Sequence, residues 1–191
     1  MAHTILTAGE QGVTDNTLYF DLETQKTFDE VGGRHHTRRL GLSVGVTYST
    51  ADEDYHVYTE AEVDALVQDL SRANRVVGFN VLRFDYEVLR GYSDYPFDEI
   101  PTVDMLDHIY RTLGFRVSLD GLASATLGAN KSADGLAAVR WYRSGQMDKI
   151  IAYCKQDVQV TKELYEFGKE NGYVQFQDRR SYRLRKVSVR W

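Results

Sequence analysis

One short segment constrains this chain more than any other. In Thr17-Leu-Tyr-Phe-Asp-Leu-Glu-Thr24 the apolar residues Leu18, Phe20 and Leu22 alternate with Tyr19, Asp21 and Glu23. A period of two marks a β-strand, with the aliphatic set on one face and the two acids side by side on the other. Leu18, Phe20 and Leu22 place the strand centrally in a sheet, so the acids fall where burial is expected. Carboxylates in such a place need cations or hydrogen-bond donors to hold them.

The surrounding pattern supplies the sheet. Leu40, Leu42, Val44 and Val46 alternate as a second strand, and Tyr55–Tyr58 reads as a short edge strand. Thr59-x-x-Glu62 is a capping box that opens a helix carrying Val63, Leu66, Val67 and Leu70 at helical spacing. A buried strand follows at 75–79, and a crossover of this kind lays it parallel to the first. Helices are predicted at 82–91, 104–113, 119–127, 133–143 and 146–170, the last stopped by Asn171-Gly172. Residues 173–191 read as a β-hairpin. The expected architecture is α/β: a mixed five-stranded sheet flanked by helices, in one domain over residues 1–191, with a core at about 17–170 and the hairpin at 172–191.

Composition narrows the function. Hydrophobic residues at 42% and charged residues at 27% describe a globular chain rather than a disordered one. No apolar run is long enough for a membrane span, and Met1 to Glu10 lacks the basic start and apolar stretch of a signal peptide. The one cysteine, Cys154, suits a reducing interior, so a cytoplasmic location is expected.

The net charge of −5 argues against a nucleic-acid partner only if the acids stay bare. Two divalent ions would leave about −1. The charge is also uneven: six bases against Asp178 give residues 172–191 a charge of +5, so residues 1–171 carry −10. Arg34, Arg38 and Arg39, beside His35 and His36, form a smaller basic cluster. Both clusters suit either solvated surface or phosphate contact.

Two further acids stand in telling places. The stripe Met147, Ile150, Ile151, Cys154, Val158, Thr161, Leu164 of the last helix includes Asp157, which therefore faces the core. Tyr153 lies one turn before it, about 5–6 Å away by Cβ. Asp85 follows Phe84 at the junction of the strand at 75–79 with the next helix; alone it reads as a cap or dipole partner. Adjacent histidines at 35 and 36 cannot easily share one tetrahedral zinc ion, and no cysteine pair assists them.

The order Asp21-x-Glu23 on a strand, Asn80-x-x-x-Phe84-Asp85 at a junction and Tyr153-x-x-x-Asp157 on a late helix resembles the DEDD superfamily of 3′→5′ exonucleases, in its DEDDy branch, on the ribonuclease H-like fold. The segments at 20–24 and 78–85 are similar to those of family B polymerase proofreading domains. The stretch Thr126–Gly135, with the Arg-rich tail, is similar to bacterial ribonuclease H-like domains found alongside helicases. The resemblance implies a metal-dependent exonuclease acting on 3′ ends of single-stranded DNA or RNA, with a helicase or other nucleic-acid enzyme as partner. It implies two Mg²⁺ or Mn²⁺ ions: one held by Asp21, Glu23 and Asp157, the other by Asp21 and Asp85, directly or through water. Tyr153 would orient the attacking water. Leu22, Thr24 and Phe84 would meet the terminal nucleotide, and Asn80 and Lys131 its sugar or phosphates. The alternatives are a structure-directed endonuclease of the same fold and a catalytically silent nucleic-acid-binding domain. The tail's charge is expected to extend the strand-binding groove.

Overall fold

A computed structural model of the chain describes residues 15–129, 135–178 and 181–191. Five strands, β1 (Thr17–Thr24), β2 (Leu42–Ser49), β3 (Asp54–Thr59), β4 (Arg75–Gly78) and β5 (Thr102–Asp104), form one sheet in the order β3-β2-β1-β4-β5. The first three make an antiparallel meander, while β4 and β5 run parallel to β1. β1 is thus the central strand, as its apolar alternation requires.

Helices cover both faces. On one, α1 (Val63–Arg72) and α2 (Asp85–Leu89) pack onto Leu18, Phe20, Leu22 and Val76. On the other, α3 (Met105–Leu113), α4 (Leu119–Leu127), α5 (Gly135–Arg143) and the long α6 (Met147–Asn171) meet Tyr19, Val44, Val46 and Val77. The described part of the fold closes with β6 (Tyr173–Gln177) and β7 (Leu184–Ser188), an antiparallel pair joined to α6 by Gly172 in the left-handed region, φ 74°. This is the mixed five-stranded sheet with flanking helices and terminal hairpin that the sequence predicts.

Four details differ from expectation, each for a local reason. The second strand begins at Leu42 and runs on to Ser49. Its register slips opposite Glu23 and Thr24, and Leu42 joins the opposite core from Val44 and Val46. The helix predicted over 82–91 shrinks to 85–89. Asn80 takes a left-handed conformation (φ 71°), and the Asp104 carboxylate captures the N–H groups of Asn80 and Leu82 at 2.9 and 3.1 Å, which holds 80–84 as a turn. The fifth strand, β5, is three residues long and ends in Asp104, which caps α3 by accepting from the Asp107 N–H. Too short to show a period, it is the one strand of the expected five to which the sequence assigns no position. The Thr59–Glu62 box is present but starts a single 3₁₀ turn before α1.

A carboxylate cluster as candidate active site

The parallel ladder between β1 and β4 ends at the pair Phe20↔Gly78. Beyond it β1 continues to Thr24 while β4 turns away, so Asp21 and Glu23 project at the mouth between two diverging strands. α6 crosses the same face of β1. Its Cys154, fully buried, lies 3.4 Å from the Asp21 carbonyl and 3.5 Å from its Oδ2, and can donate its S–H to either. That close seat brings Asp157, one turn further on, to the two strand acids. One oxygen each of Asp21, Glu23 and Asp157 lies within 4.8 Å of the others.

Asp85 approaches from behind. It is 1% exposed at the first residue of α2, and its Oδ1 accepts the Leu22 N–H at 3.2 Å. After burial, Asp85 is the strongest influence raising the Asp21 carboxyl well above the usual carboxylate range, followed by Asp157 and Glu23. Burial and then Asp157 and Asp85 do the same to Glu23. Burial pushes Asp85 up to about 8, with Asp104 adding to the rise and the amides of Asp85 and Leu22 opposing it. Burial and the nearby acids likewise raise the Cys154 thiol. Among the described residues, the charges that raise Asp21 and Glu23 are all carboxylates.

This donor set fits hard divalent cations. It is all carboxylate oxygen, converges on one point and carries a surplus of negative charge that burial makes costly without a counter-ion. Among the described residues no histidine joins a group of this kind, so the adjacent His35 and His36 make no metal centre.

A cavity of about 370 Å³ opens over the cluster, within the range of small-molecule sites. Asp21, Glu23 and Asp157 line it together with three residues the resemblance assigned to substrate, Leu22, Thr24 and Phe84. Lys26, Phe28, Leu136 and Val139 also line it, and sequence reasoning missed them. The Phe28 and Phe84 rings meet edge-on at 6.0 Å, and the Arg34 guanidinium sits 4.8 Å from the Phe28 ring. Phe28 lies in an irregular polar loop, where no periodicity flags it. Leu136, 56% exposed on α5, lies within the helix predicted over 133–143, with nothing in its spacing to set it apart.

The remaining predicted residues are placed less simply. Tyr153 is partly buried on α6, one turn before Asp157, with its ring edge-on to Trp141 at 6.1 Å; it is not part of the cavity wall. Asn80 lines a separate small cleft, where its Oδ1 accepts from Arg116 at 2.7 Å. Lys131 lies outside the described residues, as do Arg179 and Arg180. Arg38 of the second basic cluster pairs with Glu87 at 3.1 Å.

Comparison with known proteins fits this geometry. No curated protein matches the chain in sequence. Among solved structures, the zinc-ion-bound complex of E. coli ExoI with single-stranded DNA superposes with a TM-score of 0.54 at 16% identity, over 83% of this chain and 41% of that one. The chain therefore spans less than half the length of that protein, and the likeness is one of fold. The model of the RNase H superfamily matches residues 18–167, which include Asp21, Glu23, Asp85, Tyr153 and Asp157 and leave out the hairpin. With that match over most of its length, the chain belongs to the RNase H superfamily.

Proposed function

We propose that this protein is a metal-dependent 3′→5′ exonuclease that hydrolyses phosphodiester bonds at single-stranded nucleic-acid ends. The observation that carries the reading is the convergence of Asp21, Glu23 and Asp157 within 4.8 Å, with buried Asp85 raising the first two and, among the described residues, no cation among the groups that shift either. Asp21, Glu23 and Asp157 would hold one Mg²⁺ or Mn²⁺ ion, and Asp21 with Asp85 a second. When bound, such ions supply charge neutralisation and an activated nucleophile for in-line phosphodiester hydrolysis.

The chain's own residues supply position. The Leu22 N–H fixes Asp85, and the Cys154 S–H constrains Asp21. Tyr153, held against Trp141, would orient water from the Asp157 side. Phe28, Phe84 and Leu22 form the apolar wall on which a terminal base would stack, and Lys26 stands where a phosphate would need a cation. Single-stranded DNA is the first substrate to try, since the structural neighbour is bound to it.

The test uses 5′-labelled single strands with free or blocked 3′ ends, in Mg²⁺, Mn²⁺ or EDTA, with Asp21→Asn as control. Stepwise shortening from free 3′ ends, lost with EDTA and with Asp21→Asn, is the expected result. Equal cleavage of blocked strands would indicate an endonuclease, and binding without cleavage a silent nucleic-acid-binding domain.

A further inference from the structure

The C-terminal hairpin lies outside the family match, and none of its described residues lines the acidic cavity. Its two faces differ sharply. One carries Val174, Phe176 and Val187, buried against α4 and α6. The other presents the cross-strand pairs Tyr173↔Ser188, Gln175↔Lys186 and Gln177↔Leu184, without an acid among them. The Lys186 ammonium lies 3.6 Å from the Tyr173 ring centroid, on the diagonal of that face. At the tip Tyr182 is 77% exposed and Leu184 58%, beside exposed Arg183; Arg185, opposite Phe176, is paired with Asp178 at 3.5 Å. Large apolar groups left in water beside cations, on a domain whose other residues are strongly acidic, call for an anionic partner with flat apolar faces.

The hairpin is also held firmly. The Trp191 indole stacks on Tyr165 at 6.0 Å and donates to the Tyr165 carbonyl at 2.9 Å. Gly168 leaves the room: a Cβ there would come within 2.4 Å of the indole. Thr126 Oγ1 accepts from the Gln175 N–H and donates to its carbonyl. The base of the hairpin is thus fixed to the helix that carries Asp157. Gly172 follows Asp157 by fifteen positions, so the hairpin's base stands about 22 Å along that helix from the acid.

We propose that the outer face of this hairpin binds single-stranded nucleic acid, with Arg183, Lys186 and Arg190 on the phosphates and the open Tyr182 ring against the bases. This deepens the nuclease reading, on which it rests for the claim that the bound strand is the substrate: the hairpin would hold it several nucleotides away from the 3′ end. Single strand is favoured over duplex because the exposed Tyr182 ring needs an unstacked base to meet.

The test is equilibrium binding of the full chain, in EDTA, to a labelled oligothymidylate of about 20 nucleotides, to a duplex of equal length, and to one of about 4 nucleotides. The triple variant Arg183→Gln, Lys186→Gln, Arg190→Gln should reduce the slope of log Kobs against log[salt] by about 2 for the long single strand. Tyr182→Ser should weaken the same binding roughly tenfold. Hydrolysis of the short strand in Mn²⁺ should be unchanged in both, which also shows that they fold. Unchanged salt slopes, or losses confined to the duplex, overturn the proposal. An inactive wild type with the expected slopes removes the nuclease reading alone; an active one with unchanged slopes removes the hairpin alone.

Discussion

The N–H of Leu22 donates to Oδ1 of Asp85 at 3.2 Å, just beyond the point where the β1–β4 ladder ends. A backbone group that a longer sheet would have satisfied is taken up by a carboxylate, so one bond both closes the sheet edge and aims an acid at the cluster. Two substitutions separate these tasks. Asp85→Asn keeps an oxygen for the Leu22 amide and removes the charge; activity should fall about 10²–10³-fold while the fold persists. Asp85→Ala also leaves the amide unpaired and should cost about 1–3 kcal/mol of stability. Parallel assays and urea titrations of both variants check the contrast.

Asp104 acts one step further back. It is 5% exposed, and it accepts from Asn80 and Leu82 at 2.9 and 3.1 Å and from Asp107 at 3.1 Å. It thereby sets the turn that delivers Asp85 to the cluster. Asp104→Asn turns one acceptor into a donor, so at least one of these amides loses its partner. Activity should drop about 10–100-fold, as for supports of metal ligands generally. Calorimetric titration with Mn²⁺ should show weaker binding in this variant; unaltered affinity would make Asp104 a matter of stability only.

The site was legible in the sequence to the extent that each acid broke a pattern. Asp21 and Glu23 sit on a strand whose other face is apolar, and Asp157 interrupts a core-facing stripe. Both signals are local, and the structure places these three acids together. Asp85 had no such signal, since an acid opening a helix is ordinary; its burial depends on a contact with Leu22, 63 positions away. Asp104 stayed hidden because β5 is too short to show alternation and its acid also reads as a helix cap. Phe28 and Lys26 reach the cavity from a loop, where spacing carries no information about direction. Asn80 was singled out by its place in the motif; what the sequence did not show is its left-handed backbone and the hydrogen bond its Oδ1 accepts from Arg116.

Gly78 is where backbone proximity matters most. A Cβ at this position would fall 2.2 Å from Val81 Cγ1 and 2.9 Å from the Phe20 carbonyl, at the last rung between β4 and β1. Gly78→Ala must push the 78–81 turn away from β1. A loss of about 1–3 kcal/mol is expected from such overpacking. Activity should decline beyond what the folded fraction explains, because Asp85 moves with the turn. Comparing activity per folded molecule with the urea midpoint separates the two effects.

The acidic cluster should make stability depend on pH in an unusual direction. Burial and mutual repulsion raise Asp21 and Glu23 well above the carboxylate range, and burial lifts Asp85 to about 8. In the unfolded chain the same groups titrate near about 4. Between about pH 4 and about pH 8 the folded protein therefore holds more protons than the unfolded one, and stability falls as pH rises. The contribution is fully present below the unfolded values and disappears as pH passes the folded ones. In EDTA the melting temperature should accordingly decline across that window. Mg²⁺ or Mn²⁺ should reverse the decline by binding the ionised, folded form: a hundredfold excess over Kd adds about 2.7 kcal/mol, or roughly 5–10 °C for a chain of this size. Asp85→Asn, lacking one buried charge, should melt higher than wild type in EDTA at the alkaline end and gain less from the metal. A flat melting profile in EDTA, identical in wild type and Asp85→Asn, would show that the cluster is not strained by its own charge and has no need of cations.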